Sequence, residues 1–153
     1  MDTIKQLREK AKQQSKKIVL PEGHDPRVRR AAELLRKEEI CEVILLEKGR
    51  LDPKKVDEYS ELYFQLREHK GISRDEAREV ILNPVFYGAM MVREGLADGF
   101  VAGAATTTPD VAKAGLYCLG IDRNQEVKKP LQTPQPQAHG RIRIERGKNA
   151  EDH

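Results

Sequence analysis

Apolar residues first recur at helical spacing: Ile4, Leu7 and Ala11 follow Asp2 and Thr3, either of which can cap a first turn. A helix is expected over about 3–14. The aliphatic run in KKIVLPEG, 16–23, is closed by Pro21 and Gly23, the pattern of a buried parallel strand ending in a loop. Asp25 and Pro26 then start a helix, because Asp caps and proline at the first position loses no needed donor. Val28, Ala31, Ala32, Leu34 and Leu35 supply its inner face. CEVILLE, 41–47, repeats the strand pattern. Strand, helix, strand at this spacing is the unit of a layered α/β fold with a parallel sheet.

Helices follow in a group. Tyr59, Leu62, Tyr63 and Leu66 mark a helix face ending near Gly71, and Ser73 with Glu76 forms a capping box for the next. Asn83-Pro84 stops that helix, and a third runs from Pro84 to Gly95. Its FYGAMMV stretch is small and soft, which suits close packing against a sheet. ADGFVAG gives a third strand, 98–102, and an amphipathic helix with Val111, Ala114, Leu116, Tyr117 and Leu119 closes the patterned region.

Composition narrows the classes. The chain has 153 residues, 38% hydrophobic and 35% charged, so one soluble, helix-rich domain is expected. No run of about 18 uncharged apolar residues exists, which excludes a membrane helix, and the start lacks the apolar stretch of a secretory signal. The expected compartment is the cytoplasm. Cys41 and Cys118 lie far apart in apolar segments and read as small buried hydrophobes, with no metal site and no disulfide framework. The net charge of +3 sits wholly in residues 127–153, where six basic side chains face three acidic ones. That tail has no aromatic residue for stacking, so a nucleic acid partner is not expected.

Chemistry concentrates in two loops. After strand 98–102 come Gly103, Ala104, Ala105, Thr106, Thr107, Thr108 and Pro109, a small-residue loop leading into a helix N-terminus. Such a loop lets backbone N–H groups approach an anion, and phosphate is the natural guest. A helix cap at Thr108, with Pro109 beginning the helix, accounts for those two residues without a ligand. The strand-end loop PEGHDPR, 21–27, holds Glu22, His24, Asp25 and Arg27. Ligands of open α/β sheets gather at such strand ends, and Arg27 is the anion-binding candidate there. Arg93 is expected to face water. Neither GxxxxGK[ST] nor GxGxxG is present, which lowers the nucleotide-binding classes. No nucleophile and base stand at a legible spacing, so no catalytic residue is assigned.

The combination of PEG-x-D-x-R, the FYGAMMV helix, the G-x-ADG-x-V-x-G strand and the Thr-Thr turn, over residues 1 to about 124, resembles the phosphate acetyltransferase and phosphate butyryltransferase family, its phosphate acetyltransferase branch in particular. The resemblance implies reversible acetyl transfer between coenzyme A and phosphate, with phosphate, acetyl phosphate and acetyl-CoA as substrates and no bound cofactor or metal. It implies an α/β/α sandwich with a mainly parallel sheet, of the isocitrate/isopropylmalate dehydrogenase-like kind, and a homodimer. Carried onto this chain, the phosphate end would meet Gly103, Ala104, Thr107 and Thr108. Thr106 stands where many relatives carry a His or similar polar residue, and Pro109 where a small residue is common.

The resemblance stops short of the family's catalytic serine, arginine and aspartate, which match no residue here. Residues 1–126 are therefore expected to form an incomplete family domain, with 127–153 a divergent, disordered tail rich in Pro, Gln and charge. A truncated relative of this kind is expected to be inactive alone, and to associate through its exposed sheet edge or with a relative.

Overall fold

Asp2 caps the first helix, α1 (Thr3–Lys12), its carboxylate accepting from the Ile4 amide at 3.0 Å. The computed structural model describes residues 2–121, within a compact unit spanning Met1–Ile121. The tail expected over 127–153 lies outside the described residues. α1 ends two residues before the expected boundary, and Ser15, with φ of 46°, turns the chain into the first strand.

Three strands, β1 (Lys17–Leu20), β2 (Glu42–Leu45) and β3 (Gly99–Phe100), form a parallel sheet in the order β2-β1-β3. The first strand in sequence is central, and its alternation divides the layers. Ile18 and Leu20 pack with Val28, Ala32 and Leu35 of α2 (Pro26–Lys37) on one face. Val19, fully buried, meets the other. That face is covered by α3 (Pro53–Arg67), α4 (Arg74–Ile81), α5 (Pro84–Arg93) and α6 (Thr108–Leu119), whose core is built from Tyr59, Tyr63, Ile81, Val85, Met90 and Cys118. The molecule is an α/β fold with helices on both faces of a parallel sheet.

Local signals explain most element boundaries. Asp25 accepts from the Arg27 amide at 2.8 Å with Pro26 beginning α2, and Ser73 and Glu76 form both halves of the capping box of α4. The soft FYGAMMV segment has its packing reason in Gly88. A Cβ there would stand 2.9 Å from Val19 Cγ1, so glycine lets α5 lie directly on β1.

Two expectations are corrected. β3 is only two residues long: it shares two register positions with β1, flanked by bonds from the Asp98 amide to Lys17 O at 2.8 Å and from the Val101 amide to Val19 O at 3.0 Å. Ala31 and Leu34, expected on the inner face of α2, are exposed and turn instead toward α1, where they share an apolar groove with Ile4 and Leu7. Arg93 is exposed, as expected, and its guanidinium also donates to the Cys118 carbonyl at 2.9 Å, satisfying an end carbonyl of α6.

Candidate functional site

The carboxyl ends of β1 and β3 lie side by side, because both strands are parallel and adjacent. This brings the loops 21–25 and 101–107 together. Gly23 is needed where it stands: its amide donates to Leu46 O at 2.8 Å, and a Cβ would come within 2.7 Å of that oxygen. The first loop is thereby pressed against the end of β2, and Glu22 is carried inward to 2% exposure.

The buried Glu22 carboxylate is fully satisfied by the second loop. Oε1 accepts from the Gly103 and Ala104 amides at 2.8 and 3.1 Å. Oε2 accepts from the Ala105 amide at 2.5 Å and the Thr106 hydroxyl at 3.0 Å. Burial opposes its ionisation, but these four donors outweigh it and hold the acid below the usual glutamate range. The small-residue loop is thus an anion cradle, as its composition suggested, and the anion in it is the chain's own carboxylate.

Arg27 reinforces the junction. Its guanidinium pairs with Asp25 at 2.7 Å and donates to the Ala104 carbonyl at 2.6 Å. The hydrogen bonds from Arg27, side chain first and backbone second, hold the Asp25 carboxyl down at about 2. Arg29 completes the first loop by donating to the carbonyls of Gly23 and His24.

The α6 N-terminus opens beside this junction. Thr107, not Thr108, is the cap: its hydroxyl accepts from the Asp110 amide at a long 3.4 Å and donates to the Asp110 carboxylate at 2.6 Å. The cap shifts by one residue because Thr107 keeps extended backbone angles while Thr108 and Pro109 have already entered the helix. Thr108 is exposed, and its hydroxyl has no hydrogen bond among the described residues.

Of the five residues expected to meet an anion, Gly103, Ala104, Thr107, Thr108 and Arg27 all converge on this one corner. The amides of Gly103 and Ala104 are spent on Glu22 and the Thr107 hydroxyl on Asp110, which leaves Thr108 and the mostly exposed Arg27 as groups facing outward. Glu22 itself was visible in the strand-end loop but had no assigned role, since its partners lie more than 80 positions away in sequence.

Two hollows flank the junction, and Glu22 lines both. One of about 670 Å³ is bounded by Pro21, His24, Lys48, Asn83, Val85 and Thr106. The other, about 270 Å³, lies against Arg27, Val101 and Ala104. Neither thiol is near: Cys118 sits in the helical core, where burial pushes it up to about 12. Among the described residues no group of three or more His, Cys, Asp or Glu is arranged to hold a metal ion, and no helix is long and apolar enough to cross a membrane.

Residues 2–128 match the protein family described as Phosphate acetyl/butaryl transferase. The chain is 38% identical over 132 residues to a phosphate acetyltransferase of Thermoanaerobacterium thermosaccharolyticum, covering 74% of this chain and 40% of that protein. It is 35% identical over 138 residues to one of Acetivibrio thermocellus, covering 78% and 42%. The crystal structure of a phosphotransacetylase from Streptococcus pyogenes superposes with a TM-score of 0.67 at 30% identity, over 75% of this chain and 41% of that one. The chain thus spans about two fifths of the length of these relatives.

Proposed function

The chain belongs to the phosphate acetyl/butyryltransferase family, and on that premise we propose that it carries the phosphate-side part of a site for reversible acetyl transfer between coenzyme A and phosphate. The observation that carries this is the corner where β1, β3 and the α6 N-terminus meet. There Thr108 and the outer side of Arg27 face solvent beside the positive end of a helix dipole, which favours an anion against the opposing carboxylates of Asp110 in the same turn and of Asp25 paired with Arg27.

The chemistry asks for more than this corner supplies. In the direction of acetyl phosphate, a phosphate oxygen attacks the thioester carbonyl carbon, the new C–O bond forms and the C–S bond breaks. The sulfur leaves as thiolate and takes up a proton. Phosphate must be held and oriented, which Thr108 and Arg27 are placed to do beside the Thr107 cap, with the Gly103–Ala104 backbone shaping the approach. Neither carboxylate at the junction is free to serve the sulfur, because both are held by hydrogen bonds. We assign to this chain phosphate reception, with acetyl as the acyl group, coenzyme A as the second substrate and no resident metal.

Calorimetric titration of the chain with inorganic phosphate tests this directly. Replacing both Thr107 and Thr108 by valine is expected to weaken binding by about tenfold or more. Unchanged affinity in the double variant overturns the assignment.

A second reading is favoured by the outer edge of β3. Val101 is 62% exposed, and Leu116, Leu119 and Ile121 are exposed as well. Among the described residues no strand pairs with that edge, and an unpaired edge and exposed apolar side chains are each surfaces for association, so the chain acts by pairing with itself or with a full-length relative. Sedimentation that shows a monomer across a wide concentration range, alone and with such a relative, removes it.

A further inference from the structure

We propose that Glu22 is a positioning residue, an internal anion that fills the cradle of loop 103–106 and so sets the α6 N-terminus to receive an external one. The part played in phosphate reception rests on the function proposed above; the filled cradle does not.

A carboxylate is buried only when its oxygens are satisfied, since an unpaired charge in a protein interior is far costlier than a hydrogen-bonded one. Here each oxygen has two donors, three backbone amides and one hydroxyl in all, drawn from four consecutive residues. Successive amides aimed at one point make an anion nest. Gly103 permits it with φ of 123°, in the left-handed region that favours glycine. The same loop runs directly into Thr107 and Thr108, so whatever fixes 103–106 also fixes the start of α6.

The consequence concerns selectivity between donors. While Glu22 holds the amides of 103–105, an incoming phosphate has no access to them and is left with Thr108 and Arg27. Removing the carboxylate frees three amides aimed at a hollow, which any small anion of carboxylate shape can then enter. Glu22 lines both hollows, so the vacated position opens to solvent.

The test uses the full-length chain, Glu22→Ala and Glu22→Gln, with formate as the probe and amide hydrogen exchange and nitrogen-edited NMR as readouts. In Glu22→Ala the protection of amides 103–105 is expected to fall at least tenfold and to return with added formate, together with phosphate affinity at Thr108. Glu22→Gln, which offers N–H where an acceptor is required, is expected to lose protection without rescue. Protection unchanged in both variants, or loss in Glu22→Ala that formate does not restore, overturns the proposal. The unaltered chain gives an independent measurement that needs no variant to fold. On titration with inorganic phosphate, amides 103–105 are expected to shift far less than Thr108, and shifts as large as those of Thr108 overturn it. Formate rescue without any phosphate binding refutes the functional reading alone, whereas phosphate binding through 103–105 refutes the role of Glu22 alone.

Discussion

Arg27 reaches from the loop after β1 to the Ala104 carbonyl at 2.6 Å, while Glu22 of the same loop accepts from the Ala104 amide at 3.1 Å. Both backbone groups of one residue are thus held by side chains five positions apart. Asp25, between them, orients Arg27 through a 2.7 Å ion pair. The corner is stitched by charge, and its strength follows the charge of its acids.

That gives Asp25 a defined pH signature. Its carboxyl titrates at about 2 in the folded chain, below the ordinary value of 3.8. Its ionised form therefore stabilises the fold above about pH 4, and that contribution is lost as pH falls toward 2. Asp25→Asn keeps a capping oxygen and removes the charge. Urea midpoints of the two proteins are expected to differ most above pH 4 and to converge as pH falls. A difference that stays constant with pH contradicts the ion pair as its source.

Gly88 should not tolerate alanine. Alanine gains up to about 1 kcal/mol of helix propensity, but its Cβ would lie 2.9 Å from Cγ1 of Val19, a β-branched side chain with no exposure and little freedom to move. Overpacking of this kind costs about 1–3 kcal/mol. Gly88→Ala is expected to lower stability in denaturant unfolding, and a gain in stability shows that α5 can lift from β1.

Tyr59 makes the opposite case. Its hydroxyl is buried with no hydrogen-bond partner among the described residues, while its ring packs edge-on against Tyr87 at 5.1 Å. An unsatisfied buried polar group costs about 1–3 kcal/mol. Tyr59→Phe keeps the ring contact and is expected to be as stable as the parent or more so, by about 1 kcal/mol. A clear loss of stability reveals a partner for the hydroxyl.

Much of this architecture is legible in the residues because its signals are local. Asp25-Pro26, Ser73 with Glu76, and Asn83-Pro84 fix three helix starts through contacts within four positions. The aliphatic runs at 17–20 and 42–45 need no partner to be read as strands. What was illegible depends on distant pairing. Glu22 reads as one acid among several until the sheet brings residues 103–106 to it, and the Arg93 contact with Cys118 spans two helices. The cap at Thr107 was displaced by one because three consecutive threonines offer the same hydroxyl, and only the backbone angles choose among them.

Those angles separate the two threonines experimentally. Thr107→Val removes a cap and is expected to cost about 1 kcal/mol of stability, restored by Thr107→Ser. Thr108→Val leaves the cap intact and is expected to stay within about 0.5 kcal/mol of the parent while lowering phosphate affinity. Equal destabilisation by both contradicts the assignment of the cap.

We propose that phosphate reception by residues spanning about two fifths of a relative's length needs the rest of that length for acetyl transfer. Release of coenzyme A thiol from acetyl-CoA on adding phosphate measures it most directly, using chain purified from a host without its own phosphate acetyltransferase. No phosphate-dependent release is expected from the chain alone. Release is expected on mixing with the remaining C-terminal part of the Thermoanaerobacterium relative, abolished by the Thr107→Val/Thr108→Val double substitution. Phosphate-dependent release by the chain alone, or release in the mixture that the double substitution leaves untouched, contradicts it.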